Sequence, residues 1–144
     1  MRRLPALLIV LLAGVAIGAE QKEDHSADGT WVISAMEMGG TRIPEEALKK
    51  QNARLTLDGE KWTLKMGDEA GAGTSSVDAT KHPREMDITT TEGANKGSVI
   101  KAIVERTGET MKVCFDNSGK ERPKEFSTKD KPTFILIEYS REKK

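Results

Sequence analysis

The sequence predicts an all-β domain: an up-and-down antiparallel β-barrel of about eight strands with one short helix after the first strand. Three observations carry this. Short runs rich in β-branched or apolar residues recur from Thr30 onward, with turn residues between them. The clearest run alternates residue by residue, as a half-buried antiparallel strand requires. Only one segment carries helical signals. An open sandwich is the alternative, because periodicity cannot tell whether the first and last strands pair.

The first strand is Thr30 to Met38, with Trp31, Ile33 and Ala35 on one face and Gly39-Gly40 ending it. Pro44 to Lys50 reads as the helix. Proline suits a first turn, Glu45 and Glu46 come early, and Lys49 and Lys50 follow four residues later. Arg54 to Leu57 and Lys61 to Met66 form a hairpin about Asp58-Gly59, with Trp62, Leu64 and Met66 facing Leu55 and Leu57. The Gly, Ser and Thr-rich stretch that follows supports only an edge strand near Thr74 to Asp78. Glu85 to Thr90 points Met86 and Ile88 inward, and residues 92–97 turn the chain. Val99 to Glu105 and Thr110 to Phe115 form a second hairpin. Thr133 to Ser140 is apolar on both faces and should be central or covered.

Ahead of this domain, residues 1–19 read as a secretory signal peptide. Arg2 and Arg3 are the positive start, Leu4 to Ile17 the apolar run, and Ala16, Gly18 and Ala19 the small-residue end, with cleavage near Gly18/Ala19. The run is shorter than the roughly 20 residues a membrane-crossing helix needs, and no Cys follows for lipid attachment. The expectation is an exported protein, periplasmic or extracellular, with no stable membrane anchor after cleavage. Residues 20–28 are a polar, flexible lead-in, and 29–144 form one domain.

The 23 basic and 23 acidic residues balance, and losing Arg2 and Arg3 leaves about two net negative charges. That balance argues against nucleic acid, whose binding needs a positive stripe. The single cysteine, Cys114, permits no internal disulfide in a compartment where disulfides persist, so stability must come from the core.

Gly29-Thr30-Trp31 opening the first strand resembles the start of lipocalins and related calycin barrels. Pro44-Glu45-Glu46, Leu55-Thr56-Leu57-Asp58-Gly59, Cys114-Phe115 and Glu121-Arg122-Pro123-Lys124-Glu125-Phe126-Ser127 sharpen the likeness. Together they resemble an uncharacterised, exported, lipocalin-like family known chiefly from planctomycete bacteria, over nearly all of the chain after the leader. The resemblance implies a β-barrel and no established activity. It also implies that Trp31 packs at the closed end of the barrel beneath a basic residue of the last strand, for which Arg141 is the candidate. The chain is short for a lipocalin and lacks the usual disulfides.

Little in the sequence carries chemistry. Cys114 could serve as a nucleophile, but His25 lies in the lead-in and His82 beside Pro83 in a loop, so neither is placed as its base. Two distant His and one Cys give no metal-binding spacing, and no cofactor motif is present. Arg122, in a loop anchored by Phe126, is a candidate for an anionic ligand or for pairing with Glu121 or Glu125.

The barrel interior is the remaining site. Trp31, Ile33, Leu55, Leu57, Trp62, Leu64, Met86 and Ile88 would line it, either around a small hydrophobic ligand or as a filled core. Three functions follow: a non-enzymatic ligand-binding module, a structural or interaction domain that meets a protein or surface polymer, and, third, a thiol-dependent enzyme using Cys114.

Overall fold

A computed structural model of the chain describes residues 25–143. The leader expected over residues 1–19 lies outside them. The first strand, β1 (Gly29–Met38), is followed by a two-residue strand, β2 (Thr41–Arg42), and by helix α1 (Glu45–Gln51). Seven strands complete the domain: β3 (Arg54–Asp58), β4 (Lys61–Met66), β5 (Glu69–Asp78), β6 (Arg84–Glu92), β7 (Val99–Thr107), β8 (Thr110–Asp116) and β9 (Phe134–Arg141).

From β3 to β9 each strand pairs antiparallel with the next, and β1 pairs with both β3 and β9. Eight strands therefore close an up-and-down barrel, with β2 appended to the end of β1. The closing seam runs from Trp31 opposite Arg141 to Met38 opposite Ile135, which excludes an open sandwich.

Two strands depart from the alternation expected of them. In β1 the register shifts between Ile33 and Ala35, a bulge that inserts Ser34. Ala35 is thereby removed from the face of Trp31 and Ile33, and Met36 packs with the interior cluster instead. β5 is no edge. It is ten residues long and paired on both sides, to β4 and β6. Its glycines explain why the half before Thr74 was not expected. A Cβ on Gly73 would lie 1.8 Å from the Thr89 carbonyl oxygen and 2.8 Å from the Trp62 ring, so only glycine fits there.

The helix forms where its charges suggest. Pro44 precedes it in extended conformation, Glu45 pairs with Lys49 at 3.3 Å, and Asn52 ends it in the left-handed region. Helix α1 packs against β1 and buries Leu48.

The core has two parts separated by the barrel wall. Inside, Trp31, Ala102, Val104, Met111, Val113, Ile137 and Tyr139 form the main cluster. Outside, Ile103, Cys114 and Phe134 pack with Leu136 and Phe126. The long β8–β9 loop folds back over this second group, so β9 is apolar on both faces because both are covered. Asp116 organises the loop by accepting hydrogen bonds from Ser118, Glu121 and Thr133. Thr128 ties it to β1, donating to Glu37 and accepting from the Gly40 amide.

The end of the lead-in is also built into the fold. Trp31 Nε1 donates to the Ala27 carbonyl at 2.9 Å, and the Gly59 amide donates to Asp28 Oδ1 at 2.8 Å. Residues 25–28 thus form a strap across one end of the barrel, not a flexible tail.

Candidate functional site

The barrel has a sealed floor. Trp31 is fully buried, and the Arg141 guanidinium carbon lies 4.5 Å from its ring centroid. Arg141 continues outward into the strap, donating to the Asp28 carbonyl at 2.5 Å and the Ser26 carbonyl at 3.2 Å, while its Nε meets Glu109 at 2.5 Å. The register that sets Trp31 opposite Arg141 makes this stack possible, because directly opposed residues share a face.

Above the floor the walls differ. On β7, β8 and β9 the inward side chains Ala102, Val104, Met111, Val113, Ile137 and Tyr139 are buried. Across the barrel, Leu55, Leu57, Trp62, Leu64, Met86 and Ile88 are each only half-buried. Of the expected lining, Trp31, Ile33, Leu55, Leu57, Met86 and Ile88 pack in or against the interior cluster. Trp62 and Leu64 stand opposite Leu57 and Leu55, hence on the inward face, but outside that cluster. The Trp62 indole lies along β5 and donates to the Thr74 carbonyl at 3.1 Å. Inward positions on β5 include Gly71 and Gly73, which stand opposite Leu64 and Trp62 and add no bulk.

The end opposite Trp31 is apolar and more open. Met36, Met38 and Met66 face inward there with Phe115 and Ile135, and Met38 is 42% exposed. Methionine is flexible and polarizable, which suits a surface that adapts to its contact.

The expected lining omitted the β7–β9 wall of Ala102, Val104, Met111, Val113, Ile137 and Tyr139, and Met36 of β1. Met36 comes inward only through the bulge at Ser34, for which the residues give no signal. Tyr139 was legible: it continues the inward series Ile135, Ile137, Tyr139, but two-faced hydrophobicity hid the period of β9. Tyr139 is 8% exposed, and its hydroxyl has no hydrogen-bond partner among the described residues. Burial raises its pKa far above the usual phenol range, so it stays protonated.

Arg122 is committed to the fold. It crosses from the β8–β9 loop to β6 and β7, donating to the Met86 and Ala102 carbonyls at 3.2 and 2.8 Å and pairing with Asp87 at 2.6 Å and Glu85 at 3.5 Å. It pairs with neither Glu121 nor Glu125, and its nitrogens are engaged by protein groups. Cavities of about 190 and 300 Å³ flank it on the outer surface, lined mainly by polar groups in the first and by His82, Ile103 and Lys124 among others in the second.

The titratable candidates are similarly engaged. Cys114 is fully buried, its thiol 3.8 Å from the Ser127 carbonyl, and burial raises its pKa. His25, Asp28 and Asp58 bring possible ligand atoms within 4.8 Å of one another, yet His25 bonds Asp28 at 2.6 Å and Asp28 also holds Gly59. They fasten the strap to the β3–β4 turn.

Comparison of the chain with models of known protein families, with curated proteins and with solved structures finds no match. The fold and the site therefore rest on the chain's own residues. They define a closed antiparallel β-barrel with one end plugged by a stacked Trp-Arg pair.

Proposed function

We propose that the protein is an exported, non-enzymatic, lipocalin-like module that holds a small hydrophobic molecule in its barrel. One observation carries the reading. The strands β3, β4 and β6 are paired on both edges, yet their inward apolar side chains keep partial contact with solvent. In a closed sheet an inward residue meets water at an open end or where the lumen is incompletely filled. An unfilled lumen with apolar walls suits a hydrophobic guest.

Export rests on Arg2, Arg3, the apolar run and the small residues to Ala19. The lipocalin-like assignment rests on Gly29-Thr30-Trp31 and the placement of Arg141 over Trp31. A second reading, a barrel whose outer surface meets a protein or surface polymer, draws support from the two cavities beside Arg122, both outside the lumen.

Titration of the purified protein with the fluorescent dye Nile red tests the choice, with native mass spectrometry of protein from its own host as a second arm. Saturable binding that a Leu64→Trp or Met86→Trp substitution abolishes supports a lumen site. Absence of saturable binding, together with no retained small molecule, overturns it in favour of the outer surface.

A further inference from the structure

Tyr139 is a polar residue of the proposed lumen whose hydroxyl has no hydrogen-bond partner among the described residues. Tyr139 projects from β9 into the interior cluster, opposite Ile33 on one side and Met111 on the other. It sits one inward position above the Trp31–Arg141 floor. More than nine-tenths of the residue is buried. Nothing but burial acts on its ionisation, neither a hydrogen bond nor a charge. Buried hydroxyls nearly always have a partner, because an unmet donor forfeits its hydrogen bond to water. The hydroxyl is also not among the fully sealed, unpartnered side-chain atoms, so its oxygen borders water-sized space.

Phenylalanine would fill nearly the same volume, so packing alone does not account for the oxygen. We infer that Tyr139 is the polar anchor of the lumen, and that the molecule bound there is apolar with a hydrogen-bond acceptor, such as an ester or ketone carbonyl, at its leading end. The inference rests on the lumen reading above and refines the ligand class. A protonated phenol donates to a carbonyl at the floor, while the half-buried walls of β3, β4 and β6 contact the alkyl body. A pure hydrocarbon would make no use of the donor, and the arginines nearest the floor are engaged elsewhere, Arg141 by Glu109 and the strap and Arg106 by Gly108 and Ser26.

Displacement of bound Nile red by methyl hexanoate and by nonane, which have equal numbers of heavy atoms, tests this in the wild-type protein and in Tyr139→Phe. The substitution should weaken the ester about three- to tenfold, the worth of one ordinary hydrogen bond, and leave nonane unchanged. Ester affinity equal in both proteins overturns the anchor while leaving the lumen as the site. A wild-type protein that takes neither dye nor competitor overturns the lumen reading, and the anchor with it. Tyr139 is the chain's only tyrosine, so the wild-type protein supplies an independent readout. Ultraviolet resonance Raman spectra should show the tyrosine Fermi doublet moving toward a donating hydroxyl as ester is added; an unmoved doublet at saturation overturns the proposal.

Discussion

Arg141 stacks on Trp31 and, from the same guanidinium, holds the backbone of residues 26 and 28 across the end of the barrel. Two strands and the strap thus depend on a single side chain. Arg141→Met keeps the apolar stem but loses the cation and its donors, and should cost about 2–3 kcal/mol in urea unfolding. Arg141→Lys should recover little, because an ammonium cannot stack and reach both carbonyls at once. A loss under 0.5 kcal/mol, roughly the scale of an ordinary surface substitution, would contradict this.

Gly73 and Gly71 lie two residues apart on β5 and should respond differently to the same change. A methyl group on Gly73 collides with the Thr89 carbonyl and the Trp62 ring, whereas on Gly71 its nearest neighbour is 3.5 Å away. Gly73→Ala should destabilise by about 3 kcal/mol or more through overpacking, and Gly71→Ala by about 1 kcal/mol or less. Thermal melts of the two variants side by side provide the comparison.

Asp116 should govern acid stability. Burial opposes its charge, but hydrogen bonds from Ser118, Thr133 and Glu121 prevail and hold its pKa at about 2, below the ordinary 3.8. A carboxyl whose pKa is lowered on folding stabilises the protein above the unfolded value, and that stability disappears as pH falls from about 4 to 2. The contribution at neutral pH is on the order of 2 kcal/mol. Asp116→Asn should therefore be less stable at pH 6 by about that amount and should lose less on acidification. Chemical denaturation across that pH range measures both, and parallel curves for the two proteins would exclude the role.

Arg122 should behave as a structural tie. Arg122→Met removes donors from two carbonyls and leaves Asp87 without its cation, for a loss of about 2–4 kcal/mol. Faster hydrogen exchange should follow in the β8–β9 loop, while β3 and β4, far from the tie in the sheet order, keep their protection. Unchanged exchange in that loop would sink the assignment.

The alternation of β4 and the turn residues of its hairpin made the barrel's hydrophobic half legible from residues alone. The Trp31–Arg141 pair was expected only from the resemblance of Gly29-Thr30-Trp31 to the start of lipocalin barrels; the register of β1 on β9 is what sets it. The first half of β5 stayed hidden because its inward positions, Gly71 and Gly73, carry no side chain. Strand propensity is mainly a record of side-chain packing, and at Gly73 a neighbouring backbone occupies the space a side chain would fill. The pairing role of Arg122 was among the expectations, but its partners were not. Its partners Asp87 and Ala102 are 35 and 20 residues distant, whereas sequence reading weighs the adjacent Glu121 and Glu125 first. Tyr139 disappeared within a strand covered on both sides, where apolar residues no longer mark which face is inward.

Closure of the barrel between β1 and β9 also bears on when the chain can fold. The seam joins Trp31 to Arg141, so until residue 141 is available the sheet has two raw edges and the central indole lacks its cover. Strand pairing between sequence neighbours can begin early, but the longest loop must close last and at the greatest entropic cost. A nascent chain therefore cannot close its barrel until its final strand emerges.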